Sequence, residues 1–171
     1  MEFLCKTFST FSVTCSPYGH SLLSGLPQHL LQKLQHVQNA AVRLLTDSQK
    51  YDHISPILEE LQWLPVKSRI EIKMLILTFK AYHGIGPKYL TDSLVKNTIS
   101  RTFRSTNKGL LVVPKYNLEP YGKRAFSVIA PSLWNNLPDQ LRTTACLISF
   151  KNRDKNFLFG RRSFLDRKSV V

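Results

Sequence analysis

Apolar residues recur at three- and four-residue intervals along much of this chain, a pattern that predicts helices. The clearest run follows Gly25-Leu26-Pro27 and predicts a helix of about twenty residues that ends near Thr46. One face of this helix is expected to be buried, and it comprises Leu30, Leu31, Leu34, Val37, Gln38, Ala41, Leu44 and Leu45.

Three further helices are predicted before residue 95. Ser55 is expected to cap a short helix that leads to Trp63. Residues 66–82 predict a long helix with few polar positions, so we expect it to be the central and most buried one. Gly84 and Gly86 interrupt the pattern, and residues 87–94 predict one more short helix.

The second half of the chain predicts a mixture of loop, strand and helix. Residues 96–108 form a basic stretch without acids or periodicity, which indicates a loop. Residues 110–113 predict a short strand, and residues 116–121 could pair with it as an edge strand limited by Pro120. A helix is then expected to end at Trp134, and after a loop over 139–147 Ser149 should cap a last helix reaching about residue 159.

Trp134 is the predicted anchor of the core. Apolar residues at helical spacing place Phe126, Ile129 and Leu133 on its face, and Leu137 follows directly. A tryptophan buries a large apolar area, so neighbouring elements tend to pack around it. We therefore expect Trp134, Leu137 and the second tryptophan, Trp63, to lie in the core.

These elements together predict a mainly α-helical fold, a small helical domain with a short β-hairpin near residues 110–121. The expected organisation is an irregular leader over 1–17, the helical domain over 18–159 and a basic tail over 160–171.

Charge is distributed unevenly along the chain. The formal net charge is +13, yet residues 1–65 carry four Lys and Arg against five Asp and Glu, which is −1. Residues 66–171 carry twenty against six, which is +14. This asymmetry favours a polyanionic partner for the second part of the chain.

Targeting signals and cysteines favour an intracellular protein, cytoplasmic or nuclear. No apolar stretch is long enough to predict a membrane span, and the polar start is a poor secretory signal. Three widely spaced cysteines, Cys5, Cys15 and Cys146, fit reduced thiols better than a disulfide framework.

Catalytic chemistry is not predicted. Two-metal polymerases need clustered carboxylates, but the only adjacent acids here are Glu59 and Glu60, on a predicted helix. The five histidines include no pair with zinc spacing, and the cysteines form no C-x-x-C array. We expect no enzymatic activity, no metal and no cofactor.

A series of short motifs resembles the C-terminal end of LINE-type (non-LTR) retrotransposon reverse transcriptases. It covers roughly residues 18–159, and many matches in one order are more specific than any single one. The matching segments include, in chain order, Gly25-Leu26-Pro27, Leu34-Gln35-His36-Val37-Gln38-Asn39-Ala40-Ala41-Val42-Arg43-Leu44-Leu45, Asp52-His53-Ile54-Ser55-Pro56, Leu61-Gln62-Trp63-Leu64-Pro65, Gly109-Leu110-Leu111-Val112-Val113-Pro114, Arg124-Ala125-Phe126, Ala130-Pro131, Leu133-Trp134-Asn135-Asn136-Leu137-Pro138 and Ser149-Phe150-Lys151.

The resemblance implies a thumb-side and tail region without the catalytic palm, whose carboxylates would lie upstream of residue 1. In the family such regions lie beside the primer-template and contact template RNA. Asp154 stands where the family leads us to expect an apolar residue, so the last helix is expected to pack less well.

Three functions remain open: weak, sequence-independent binding of RNA or single-stranded DNA; an inert or structural relic of a retroelement; and a helical protein-interaction module that uses the exposed side of the helix over 27–46. The oligomeric state is not predicted. For nucleic-acid binding, the candidate phosphate contacts are Lys96, Arg101, Arg104, Lys108, Lys115, Lys123, Arg124, Lys151, Arg153 and Lys155.

Overall fold

The computed structural model describes residues 23–49, 51–97, 109–117 and 122–166, and the side chains among them except those of 159 and 161–166. The described helices are α1 (Gln28–Thr46), α2 (Ile54–Glu60), α3 (Val66–Tyr82), α4 (Lys88–Asp92), α5 (Phe126–Asn135), α6 (Asp139–Arg142) and α7 (Leu147–Asp166). The predicted mainly helical class is confirmed.

Among the described residues the predicted β-hairpin is not seen. Leu111 instead forms an isolated antiparallel bridge with Lys96. The Asn97 N–H donates to the Leu110 carbonyl at 3.0 Å, and the Val112 N–H donates to the Val95 carbonyl at 2.9 Å. The described pairing of this apolar run is therefore with residues 95–97, and residues 118–121 of the expected second strand lie outside the described part.

The described chain falls into two compact units, residues 1–70 and 71–171, and the boundary lies within α3. In the first unit, Val42 of α1, Leu58 of α2 and Trp63 form a buried cluster. A left-handed turn at Gln62, with φ of 55°, follows α2 and brings the Trp63 N–H to 2.8 Å from the Leu58 carbonyl. This turn directs the Trp63 ring into the cluster.

Two glutamines of α1 hold the start of α3. Gln38 donates from Nε2 to the Leu64 carbonyl at 2.9 Å, and the Val66 N–H donates to Gln35 Oε1 at 2.9 Å. The Val66 N–H is one of the donors at a helix start that have no partner within the helix, and Gln35 supplies its acceptor.

The wide apolar face predicted for α1 is only partly buried. Val42 and Gln38 are buried and Leu45 packs against the cluster, whereas Leu30, Leu34, Val37 and Leu44 are exposed. The expectation of one continuous buried face was wrong because α2 and Trp63 contact only one edge of it.

In the second unit, Trp134 lies at the centre of the core together with Phe79 of α3 and Phe150 of α7. Phe79 and Phe150 stack with ring centroids 4.6 Å apart, and Tyr82 stacks on Trp134 at 5.3 Å. Leu75, Leu111, Leu137 and Leu141 complete the buried set. Aromatic pairs in such offset arrangements add stability beyond the area that they bury.

Helix boundaries in the C-terminal part differ from prediction in two places. The expected loop over 139–147 contains α6, which follows Pro138 directly. The last helix begins at Leu147, two residues before the predicted cap Ser149, and extends to Asp166. Likewise α2 begins at Ile54, so Ser55 lies in its first turn and does not occupy the cap position.

Candidate nucleic-acid interface

Side chains at the end of α5 hold the segment that begins at Gly109. The Trp134 indole N–H donates to the Gly109 carbonyl at 2.8 Å. Asn135 accepts a hydrogen bond from the Leu111 N–H at 3.0 Å through Oδ1 and donates to the Leu111 carbonyl at 2.8 Å through Nδ2. The sequence analysis did not identify this role of Asn135, because the paired backbone lies 24 residues away.

Lys96 adjoins this network. Its backbone pairs with Leu111, and its Nζ lies 4.4 Å from the centroid of the Tyr82 ring. Such a cation–π contact is electrostatically favourable for the Lys96 ammonium group. Partial burial and the charge of Lys96 both lower the pKa of His83, which favours the neutral imidazole.

A cavity of about 370 Å³ lies beside Lys96. Its lining includes Tyr82, His83, Thr91, Lys96 and Leu111. Among its described lining residues none is acidic, and Lys96 is the one that carries a formal charge.

Three lysines from two helices form what we call the lysine cluster: Lys73 and Lys80 of α3 and Lys151 of α7. Lys73 and Lys80 are seven residues apart, or two helical turns, and therefore share a face. Desolvation, and then the charges of Lys151 and Lys80, lower the pKa of Lys73. Within the described part of the chain, no carboxylate forms an ion pair with any of the three.

Sequence reasoning named Lys151 but missed the other two members of the cluster. The seven-residue spacing of Lys73 and Lys80 on one predicted helix was a signal that the sequence offered. That Lys151 lies beside them depends on the packing of the second unit and could not be read from the sequence.

The remaining predicted contacts are dispersed. Lys115, Lys123, Arg124 and Arg153 are exposed, and Lys155 is half-buried and has an interaction partner. Arg153 lies 3.5 Å from the Thr144 hydroxyl, in an open groove that also includes Phe157. Arg101, Arg104 and Lys108, the predicted contacts of the basic loop, lie outside the described residues.

One acidic residue of α7 contributes less negative charge than its sequence suggests. Asp154 is fully buried, and neither carboxylate oxygen has a hydrogen-bond partner among the described residues. Desolvation, with a smaller effect of Glu71, raises the pKa of Asp154 to about 7. The middle of α7 therefore presents Lys151 and Arg153 to solvent without a neighbouring exposed acid.

The structure bears on two other kinds of site. Among the described residues, no three His, Cys, Asp or Glu side chains are grouped so that they could hold a metal ion. In the same part of the chain, no helix has the length and apolar character needed to cross a membrane.

The predicted core residues Trp63, Trp134 and Leu137 are all buried. No protein-family model, curated protein or solved structure matches this chain.

Proposed function

We propose that this chain binds single-stranded nucleic acid, RNA in the first place, weakly and without sequence preference. The observation that carries the proposal is the lysine cluster. Two helices hold Lys73, Lys80 and Lys151 so close together that the charge of one lowers the pKa of another.

Such an arrangement is electrostatically unfavourable in isolation. Like charges that are partly desolvated and lack a carboxylate partner repel one another. A phosphate backbone would relieve that repulsion and release its condensed counterions on binding. The excess of +14 in residues 66–171 favours the same class of partner.

We further propose that the chain derives from the thumb-side and tail region of a LINE-type reverse transcriptase and has no polymerase activity. The ordered motifs from Gly25-Leu26-Pro27 to Ser149-Phe150-Lys151 support this origin. Primer-extension assays with magnesium or manganese should give no product above buffer. Robust extension that is abolished by substitution of Glu59 or Glu60 would contradict the proposal.

The binding proposal is tested with the double variant Lys73→Gln and Lys151→Gln in fluorescence-anisotropy titrations of single-stranded RNA. Affinity should fall alike for unrelated sequences, because phosphate contacts carry no sequence information. The slope of log affinity against log salt should decrease by about 1.4, since each phosphate contact contributes about 0.7 for single strands.

The matched control is the double variant Lys67→Gln and Lys88→Gln. These two lysines are exposed and lie outside the cluster, and the control loses the same two charges. Equal loss of affinity in both variants would show that net charge alone attracts RNA and would overturn the assignment to the cluster. Unchanged affinity in a folded cluster variant would do the same.

The basic loop is tested separately by reversing Arg101, Arg104 and Lys108 to Glu together. If this loop also follows the phosphate backbone, affinity should fall for all sequences and thermal stability should change by no more than about 0.5 kcal/mol. Unchanged affinity in the folded triple variant would remove the loop from the binding surface and leave the cluster as the candidate.

A further inference from the structure

An apolar stripe runs along the exposed side of α1. Val37 is 69% exposed and Leu44 is 85% exposed, and Leu30 and Leu34 are exposed as well. With the half-buried Ala41, these residues recur at intervals of four, three, four and three. We call Leu30, Leu34, Val37, Ala41 and Leu44 the α1 stripe.

The α1 stripe is separate from the face that α1 uses within its own unit. Gln38, Val42 and Leu45 lie on that other face, against Leu58 and Trp63 or the Leu64 carbonyl. The stripe has the alternating three- and four-residue spacing with which one helix packs along another. An exposed apolar stripe with this regularity marks an interaction surface.

We propose that the α1 stripe pairs with the α1 stripe of a second copy of this chain, antiparallel, to form a two-fold symmetric dimer. In an antiparallel pair, a stripe residue that follows a four-residue interval faces one that follows a three-residue interval in the partner helix. Leu34 then faces Leu44 of the second copy, and Val37 faces Ala41. The two-fold axis repeats both contacts, as an isologous interface requires.

Charge selects this register among the possible ones. Lys33 lies immediately before Leu34, and Asp47 lies three residues after Leu44; both are exposed. Asp47 is the C-cap that follows the last residue of α1. When Leu34 faces Leu44, Lys33 of each copy lies beside this end of the partner helix, within reach of Asp47, which allows two equivalent ion pairs. Shifting the register by one heptad moves Lys33 away from Asp47 and removes both pairs.

The overall charge of the first part of the chain agrees with self-association. Residues 1–65 carry a net charge of −1, so two copies can approach through α1 with little repulsion. The strongly basic residues 66–171 would instead repel another copy. A second copy is therefore the occupant that both the stripe and its flanking charges fit.

The first experiment measures the mass of the full-length chain by light scattering or sedimentation over a wide concentration range. The wild type should approach twice the monomer mass as concentration rises. Val37→Glu with Leu44→Glu should remain monomeric, because burying a carboxylate in an apolar interface is unfavourable. Both side chains are largely exposed, so circular dichroism should show an unchanged fold.

The matched control is Ile85→Glu with Ile148→Glu, two exposed apolar residues of the second unit that lie outside the α1 stripe. This control should dimerise like the wild type. A wild-type chain that stays monomeric at every concentration overturns the proposal and leaves the stripe to a different protein or to another segment of the same chain. Equal loss of dimer in the control and in the α1 variant also overturns it.

A charge exchange tests the register itself. Lys33→Glu places a second carboxylate near Asp47 and should weaken dimerisation about tenfold, since two exposed pairs each change from attraction to repulsion. Combining Lys33→Glu with Asp47→Lys should restore most of the affinity at low salt. A double variant no better than the single one rules out the antiparallel register.

Discussion

Trp134 donates its indole N–H to the carbonyl of Gly109 at 2.8 Å, across 25 residues of sequence. Gly109 has φ of +85°, a conformation that side-chain-bearing residues rarely adopt. This hydrogen bond therefore joins a buried aromatic ring to a backbone position whose conformation favours glycine. It fixes the start of the segment that pairs with Lys96.

Replacing Trp134 with alanine should destabilise the chain by about 3–5 kcal/mol, because a fully buried tryptophan leaves a cavity. Trp134→Phe should cost less, since the ring is largely kept and only its hydrogen bond is lost. Denaturant titrations followed by circular dichroism measure both. Trp63→Ala should show a comparable loss, and an unchanged midpoint for Trp134→Ala would contradict the packing described here.

Asn135→Ala should destabilise by about 2 kcal/mol, because two hydrogen bonds to the Leu111 backbone are lost. Asn135→Asp should cost at least as much. The carboxylate still accepts from the Leu111 N–H, but it places a second oxygen against the Leu111 carbonyl.

The matched control for this prediction is Asn136→Asp, one residue further along and exposed. Its effect should stay within about 0.5 kcal/mol. Equal thermal shifts for Asn135→Asp and Asn136→Asp would mean that the hydrogen bonds between the Asn135 side chain and the Leu111 backbone do not contribute to stability.

Asp154 should make the protein less stable as pH rises. Its carboxyl group has a pKa of about 7 in the folded chain and an unperturbed value near 3.8. Below about pH 4 both states are protonated and no penalty exists; between pH 4 and 7 only the unfolded state ionises, which favours unfolding. The total penalty is roughly 4 kcal/mol at neutral pH and above.

This prediction is measured by comparing wild type with Asp154→Asn in urea titrations from pH 4 to pH 8. The asparagine variant should gain stability relative to wild type as pH rises through this window. Asp92→Asn, at an exposed position, provides the control. A stability difference between Asp154→Asn and wild type that does not change with pH would show that the buried carboxylate does not titrate as described.

Cys146 should react with alkylating reagents at lower pH than an ordinary thiol. Its pKa is lowered by hydrogen bonds from the Ser149 N–H, the Ile148 N–H and the Ser149 hydroxyl, and its side chain is exposed. The thiolate is the reactive form, so the midpoint of the rate–pH profile should lie below that of an ordinary, unperturbed thiol.

The labelling experiment uses a chain with Cys5→Ser and Cys15→Ser, so that Cys146 alone reacts. Adding Ser149→Ala should shift the midpoint upward, because one donor to the sulfur is lost. Cys146→Ser should abolish labelling. Identical profiles with and without the Ser149 hydroxyl would exclude it as a cause of the lowered pKa.

Most of the helices could be predicted from local sequence patterns. The bounds of α3 match prediction because apolar residues dominate the helix and Gly84 and Gly86 follow it. The place of Trp134 near the end of α5 was also predicted, since Asn136 and Pro138 interrupt the helical pattern. Periodicity and helix-stopping residues act over a few positions, so they can be read without a structure.

Which surfaces meet depends on tertiary packing. The sequence could not show that the Leu111 backbone pairs with Lys96 and Asn135, because partners at long sequence separation are selected by packing. It also could not divide the apolar face of α1 into a buried edge and an exposed stripe, since both have helical spacing. Lys73 and Lys151 likewise approach each other only because α3 and α7 fold into the same unit.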